Sequence, residues 1–589
     1  VSLSPAPAQP APRRWLLGIT DEPAAQQLAD TLCLPPAIAS LLLQRGLRSI
    51  DAARAFLHPS IDQLHDPYSM HGMSTAVTRI QHAVASSEPI LIYGDYDVDG
   101  TTAVVLLKTA IERLGGSVRF HVPHRLREGY GMQREVLERA AADGVRLVIS
   151  VDTGIRAFAA AEAAASLGLD LIVTDHHLPD GALPRALAIL NPNQHGCGYA
   201  CKGLCGAGVA FKLSQALLEA SVSEDPDARD RLRRKTLPSF LKMLAIATVA
   251  DAVPLVDENR AIVALGLAAL HEPASPGLRA LLQVAQLDPA KKRLTAMDVG
   301  FRLGPRINAA GRMDVAGDVV ELFTTRDTAR AQELAVKLDT LNTERRATEA
   351  SALEAVLQML AQPDFADTRC LVLDGEGWHR GVIGILASRV VEKTGKPALV
   401  IAHEDGEAYG SGRSIEGFHL LQALESCAAL FTRFGGHAHA VGFSLPSHAV
   451  PELRAHLRTY AQVHVREEDL NAPIHCDAEL PLPDISRELF SALRRLEPFG
   501  MDNPEPAFAA YRARLAAEPR YLQDRHAKLQ LEQHGARFAA LGWHWAEKIR
   551  ALALAPGEPV DVVYRLRDNE HQDFGGLELE IVDLRRSAS

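Results

Sequence analysis

The sequence predicts a multidomain α/β protein: two α/β units joined by a long helix, followed by a small β-barrel. Three observations carry this expectation. A chain of 589 residues exceeds what one hydrophobic core organises and should divide into roughly three or four domains. Short apolar segments alternate with helical patterns, first from Pro89 and again from Cys370, which is the rhythm of a largely parallel sheet. After Pro473 the rhythm changes to short alternating segments separated by turn residues, the pattern of a barrel.

Composition narrows the class without deciding function. A content of 47% hydrophobic and 23% charged residues is ordinary for a globular protein. The longest apolar stretch, Met243–Val256, is interrupted by Asp251, so no membrane span is expected. The segment VSLSPAPAQPAPRR has no apolar region after its arginines and reads as a short disordered leader, not a signal peptide. Seven cysteines do not make a disulfide scaffold in so long a chain, and a cytoplasmic location fits. Cys197, Cys201 and Cys205, with His195 before them, could form a zinc clip, although structural zinc pairs usually come as two closely spaced pairs; reduced loop thiols are the plainer reading. The net charge of −11 excludes a uniformly basic nucleic-acid coat. Any such ligand would need a local basic groove.

The elements follow in order. Residues 1–60 are expected to hold the leader and a helical segment, and residues 61–320 the first α/β domain. There Pro89–Tyr93 is a strand, followed by GDYDVDG and a helical pattern through Leu114. Ser117–Val122 is a second strand; Arg146–Val151 is a third, ending at Asp152, with Ala-rich Phe158–Leu167 as its helix. Asp170–Thr174 is a fourth and runs into Asp175-His176-His177. Open α/β sheets bind ligands beyond the carboxyl ends of their strands, and three acidic motifs leave three strands at that end. Thr325–Leu360, charged and without Gly or Pro, is the connecting helix within residues 321–362. Residues 363–470 repeat the α/β pattern: strand Cys370–Leu373, helix Gly384–Lys393 and strand Ala398–Ile401, with GSGRS (Gly410–Ser414) and GGHAHAVG (Gly435–Gly442) at the end. In residues 471–589 the segments Lys528–Glu532, Arg537–Leu541 and Pro559–Tyr564 suggest an OB-like barrel.

The chemistry concentrates at the strand ends. Asp95, Asp97 and Asp99 would repel one another unless cations sat among them; the alternative is a solvated acidic turn. An EF-hand loop is excluded because Leu106 stands where its glutamate is required. Asp152, in VDTG, taken alone reads more readily as a plain turn aspartate. Asp175, His176 and His177 place hard oxygen and imidazole ligands together, a mixture suited to Mn²⁺ or Zn²⁺. Asp251, in ATVADAVPL, follows an apolar helix, where a charge is costly unless paired or bound to metal.

GDYDVDG, VDTG, DHH and ADAVPL, in this order, resemble the four motifs of the DHH phosphoesterase superfamily. GPRINAAGRMD, GWHRGVIGILASR, GSGRS, GGHAHAVGF and LEPFGMDNPEPAF resemble its RecJ branch, which carries a DHHA1 domain and an OB domain, and the likeness runs from about residue 60 to residue 585. The resemblance implies a metal-dependent exonuclease that degrades single-stranded DNA from 5′ to 3′, yields 5′-mononucleotides and serves recombination and repair. It also implies two Mn²⁺ ions, with Mg²⁺ as the alternative. Asp97 and Asp152 would bind one ion, and Asp99, Asp152, His176 and Asp251 the other. Some superfamily members carry a histidine where this chain has Tyr93, which leaves Asp95 as the nearest further ligand of the first ion. Asp175 would orient a neighbouring histidine and His177 would lie by the scissile phosphate.

Strand-end recognition suits arginine, whose planar fork matches phosphate. The candidates are Arg125, Arg127, Arg306 and Arg312, then Ser411 with Arg413, and His437 and His439 in their glycine-rich turn. Tyr521, Phe538, Trp543 and Trp545 are either base-stacking platforms or barrel core. The resemblance implies single-stranded DNA with a 5′-phosphorylated end as substrate, and a single-strand-binding protein and a RecQ-type helicase as partners. Two rivals remain. A hydrolase of small phosphates would lack the long OB-like extension, and a non-catalytic scaffold would have lost ligand positions that here are all acidic or His. A P-loop ATPase is disfavoured by the absence of GxxxxGK[ST].

Overall fold

The computed structural model describes residues 13–19, 21–125, 127–129, 131–222, 224–273, 275–313, 316–365, 367–569 and 575–588. Most of the expected leader, residues 1–12, lies outside them. Two compact units are present: residues 65–253 with 266–472, and residues 1–64 with 254–265 and 473–589. Among the described residues no helix is long and apolar enough to cross a membrane.

In the first unit a five-stranded, all-parallel sheet runs in the order Val118–His121, Ile90–Tyr93, Leu147–Val151, Asp170–Thr174, Ala188–Leu190. The central strands are mostly apolar and almost wholly buried because both faces are covered, as parallel sheets require. Helices Arg134–Ala142 and Phe158–Ser166 close one face through Leu137, Ala140, Ala161 and Ala164, which pack on Leu91, Val148, Leu171 and Val173. Helices Val98–Arg113 and Gly206–Ser221 pack together on the other. The expected strands are all found; Ala188–Leu190 was too short to stand out as a periodic run.

The connecting helix is Thr328–Leu360. It starts three residues later than expected because Asp327 caps it, accepting from the Ala329 and Arg330 amides at 2.8 and 3.4 Å; such a cap ends the run of orphan amides. Its last turns bury Ala352 and Val356 against Leu371, Leu373, Leu386 and Val390 of a second α/β layer. That layer has five strands in the order Arg433–Gly436, Ala440–Pro446, Glu407–Arg413, Ala398–Glu404, Leu371–Glu376. Only the last pair is parallel. GSGRS, expected beyond the strands, lies mostly within one. Gly410 makes room for the ring opposite it on the neighbouring strand: a Cβ there would fall 2.0 Å from Phe443, its cross-strand partner.

In the second unit Phe508–Leu515, Pro559–Asn569, Gly576–Arg586, Ala536–Gly542 and His526–Gln533 form a ladder that returns to Phe508–Leu515 and closes. This five-stranded closed barrel is the OB-like architecture the sequence predicts. The amino-terminal helices, expected as a separate segment, share its core: Ile38, Leu41, Leu42 and Phe56 join one cluster with Leu489, Leu493, Phe508, Leu529 and Tyr564. Three short amphipathic helices cannot bury their apolar faces alone. Arg260 ties this unit internally, donating to the carbonyls of Phe56, Leu496 and Arg495 at 3.0, 2.9 and 3.1 Å.

Candidate metal centre

The carboxyl ends of three neighbouring strands bring the acidic motifs together. Beyond Tyr93 the chain turns through Gly94–Asp97 into helix Val98–Arg113. Asp97 caps that helix and accepts the Gly100 amide at 2.9 Å. A Cβ on Gly100 would stand 2.6 Å from the Asp95 carbonyl, so only glycine permits this turn. Asp152 ends its strand with φ +59°, a left-handed conformation that Asp and Asn tolerate better than most residues. Asp251 ends helix Leu237–Ala250.

His176 Nε2 lies 3.3 Å from Asp152 and 3.8 Å from both Asp99 and Asp251. Three groupings place one donor atom of each member within 4.8 Å of the others: Asp95, Asp97 and Asp152; Asp99, His176 and Asp251; Asp152, His176 and His177. Asp95 therefore stands where the sequence left a ligand position open. Asp175 is placed differently. One of its oxygens accepts from the His176 and His177 amides at 2.8 and 3.1 Å and pairs with His177 Nδ1 at 2.7 Å, while the other accepts the Ile155 amide at 2.9 Å.

The donor set fits divalent cations. Asp95 Oδ1, Asp152 Oδ1 and Asp251 Oδ2 are buried without any hydrogen-bond partner, an arrangement that costs free energy unless a cation satisfies them. Burial, then repulsion by Asp97, pushes the Asp95 carboxyl up to about 8. Burial with Asp99 and Asp97 nearby pushes Asp251 up to about 9. Asp97 and Asp152 are raised by burial and by their neighbouring carboxylates. Burial lowers His176, which keeps its imidazole neutral and able to ligate. For His177, burial opposes charging, but the Asp175 hydrogen bond and charge outweigh it and raise the pKa.

Several groups that build the site carry no signal in the sequence. The amides of Gly206 and Ala207, at the start of helix Gly206–Ser221, donate to Asp99 at 2.6 and 2.9 Å. A Cβ on Gly206 would fall 2.4 Å from Asp152 Oδ1. Asn191 and Asn193 hold the DHH turn by donating to the His177 and His176 carbonyls at 2.8 and 2.9 Å. Asn308 accepts the Val98 amide at 3.1 Å. Gly206→Ala should displace Asp152 and lower activity about 10- to 100-fold, the usual effect of disturbing groups that orient metal ligands. Steady-state rates across a Mn²⁺ titration check this; unchanged rates would show that the site can absorb the methyl group. Cys197, Cys201 and Cys205 do not join any group of metal-ligating donors among the described residues. Cys205 packs its sulfur 3.8 Å from the Thr248 hydroxyl.

A second cluster is cationic. Arg312 donates to the Gly381 carbonyl at 3.1 Å, and burial with repulsion from Arg125, Arg345 and Arg413 pushes its guanidinium down to about 10, against the pull of Asp97. Burial and then Arg125 lower Arg413, which bonds the Gly412 carbonyl and Ser411 Oγ at 2.8 and 3.3 Å. The first turn of helix Ile383–Thr394 faces this pair, since a Cβ on Gly384 would lie 3.2 Å from Ser411 Oγ. Arg125 stands 5.1 Å over the Tyr96 ring. Mutually repelling guanidiniums near a helix N-terminus are an arrangement suited to an anion. His437 and His439 are exposed in the adjoining hairpin turn, where the His439 carbonyl accepts the Ser414 amide at 2.9 Å. Arg127 is exposed on the surface. Arg306, expected to contact phosphate, instead bonds Asp339 at 2.8 Å and the Arg302 carbonyl at 2.7 Å. With its donors so engaged it braces the connecting helix.

A parallel sheet whose strand ends converge on buried carboxylates and a DHH turn defines a DHH phosphoesterase, and residues 89–248 match the DHH family, N-terminal domain. Residues 367–462 match the DHHA1 domain and residues 476–583 the RecJ OB domain. The chain is 39% identical to the single-stranded-DNA-specific exonuclease RecJ of Dickeya dadantii over 95% of this chain and 97% of that one. It is 36% identical to the Bacillus subtilis RecJ over 97% of this chain and 70% of that one. The crystal structure of RecJ in complex with Mn²⁺ from Thermus thermophilus superposes with a TM-score of 0.82 at 30% identity, covering 98% of this chain and 80% of that one. This chain belongs to the RecJ family.

Proposed function

We propose that the chain is a single-stranded-DNA-specific exonuclease that hydrolyses phosphodiesters from the 5′ end, releasing 5′-mononucleotides in recombination and repair. The observation that carries this reading is the convergence of five buried or half-buried carboxylates and the His176 imidazole beside a cluster of arginines. Asp95, Asp97 and Asp152 would hold one divalent ion; Asp99, Asp152, His176 and Asp251 would hold the second, with Asp152 shared. Mn²⁺ is the proposed metal and Mg²⁺ the alternative, supported by Thermus thermophilus RecJ structures with each ion. Bound there, the pair supplies a water of lowered pKa and neutralises charge that builds on the phosphate.

The chain's own residues prepare the rest. Two backbone amides fix the Asp99 carboxylate before any ligand arrives. Asp175 engages His177 Nδ1 and so fixes the imidazole proposed to meet a phosphate oxygen. Arg125, Arg312, Arg413 and Ser411 would grip a terminal 5′-phosphate, with His437 and His439 at the rim. In the barrel, Trp545 is buried and Phe538 packs on the core, whereas Tyr521 and Trp543 are 38% and 52% exposed. The latter two are the proposed stacking surfaces for unpaired bases. A single-strand-binding protein and a RecQ-type helicase are proposed partners, since the second would expose the strand ends this reaction consumes. Seven cysteines outside any disulfide support a cytoplasmic setting.

A 5′-labelled single strand with Mn²⁺ should release its label first as mononucleotide. In Arg413→Ala, the KM for a 5′-phosphorylated strand should rise about 10- to 100-fold, the worth of charged hydrogen bonds, with little change in kcat. Label retained in long fragments would overturn the reading.

A further inference from the structure

We propose that Tyr93 is a positioning residue of the arginine cluster: its hydroxyl anchors the loop that carries Arg125, in a position the resemblance would give to a metal-binding histidine. The inference rests on the reading that Arg125, Arg312 and Arg413 bind the terminal phosphate. Tyr93 ends the strand that enters the metal centre and is wholly buried. Its hydroxyl lies 3.2 Å from the Gly131 carbonyl, to which it donates, and it accepts the Gln133 amide at 3.2 Å. Gln133 Nε2 in turn bonds the carbonyls of Glu128 and Gly131 at 3.1 and 3.3 Å.

A second tie closes the same loop. Glu128 pairs with His121 Nε2 at 2.9 Å, on the neighbouring strand, and accepts the His124 amide at 3.1 Å. The Glu128 and Arg127 amides fold back on the His124 carbonyl at 2.8 and 3.1 Å. Arg125 is therefore bracketed by His124 and Glu128, and the bracket is bolted to two adjacent strand ends by Tyr93 and His121, whose rings lie 5.0 Å apart. Arg125 reaches back over the Tyr96 ring toward Asp95, Arg312 and Arg413. The hydroxyl thus ties together the ligand loop at residues 94–97 and the loop that presents a guanidinium to the phosphate. A guanidinium on an untethered loop must be ordered at each binding event, so the loss should appear in binding and not in the chemical step.

The test is steady-state kinetics with saturating Mn²⁺ on 5′-phosphorylated and 5′-hydroxyl single strands. For Tyr93→Phe, KM on the phosphorylated strand should rise about three- to tenfold, as for loss of one ordinary hydrogen bond. The kcat should change less than twofold, and KM on the hydroxyl strand should hold, so the preference for phosphate shrinks. Glu128→Gln, which loosens the same loop from a partly exposed site, should give the same KM-only signature even if Tyr93→Phe folds poorly. Arg125→Ala is run alongside. If Arg125→Ala keeps the preference for phosphate, the underlying reading of the arginine cluster fails. If Arg125→Ala loses it while Tyr93→Phe and Glu128→Gln keep it, the positioning role is overturned. Weakened Mn²⁺ binding in Tyr93→Phe, read from the free-ion resonance signal, would place the hydroxyl at the metal and overturn it equally.

Discussion

Asp152→Asn should lower kcat about a thousandfold while the protein stays folded. The group it removes is the one carboxylate shared by both proposed ion positions, and bound cations contribute several kcal/mol to stabilising charge in such a reaction, each 1.36 kcal/mol being tenfold in rate. Asparagine keeps the left-handed backbone that Asp152 adopts at φ +59°, so the fold should not be strained. Removing a charge from among Asp95, Asp97, Asp99 and Asp251, all of which raise the cost of ionising Asp152, should leave the metal-free protein as stable as the native chain or more so. Asp152→Ala should abolish turnover too, with a modest added cost at the backbone. Turnover on a labelled single strand, together with thermal denaturation with and without Mn²⁺, separates the two effects. Near-normal turnover in Asp152→Asn would remove Asp152 from the centre.

Metal-free protein should lose stability as pH rises, and Mn²⁺ should restore it increasingly. The sign follows from linkage. An unfolded aspartate titrates at about 4, whereas Asp95 and Asp251 in the fold are pushed up to about 8 and about 9, with Asp97 and Asp152 also raised. Between those limits the folded state holds more protons than the unfolded one, so stability is greatest on the acid side and declines as pH climbs toward 9. A cation replaces those protons, so its affinity grows over the same range. At Mn²⁺ about a hundredfold above its dissociation constant, each site adds about 2.7 kcal/mol. Melting curves from pH 6 to 9, with chelator and with Mn²⁺, should diverge as pH rises. Parallel curves would mean that the carboxylates do not share an ion.

The legible part of the site is the part written in side chains at strand ends. Asp97, Asp152 and His176 were legible as a set and not singly: each alone reads as a turn residue, and it is the recurrence of such residues after successive apolar strands that marks them. Asp95 was ambiguous, since three alternating aspartates look the same whether one or all of them face inward. Arg306 and Arg312 lie in one motif and on one helix, yet Arg306 meets Asp339 while Arg312 joins the arginine cluster. A helix turns successive positions toward different neighbours, and the motif does not say which neighbour each finds. The aromatics of the barrel divide for the same reason, Trp545 inward and Trp543 outward.

Local pattern determined the alternation of strands and helices, the connecting helix with its charged, Gly-free run, and the residue types of the candidate metal ligands, because periodicity and side-chain type are properties of the chain itself. Tertiary structure alone decided that Gly206 and Ala207 clamp Asp99, that Asn308 steadies Val98, and that helices near residue 40 share the core of a barrel built after residue 500. Those roles belong to backbone amides, to missing Cβ atoms and to apolar faces that accept any partner of the right shape. Such groups are alike wherever they occur in a sequence, and only the packing gives them distinct work.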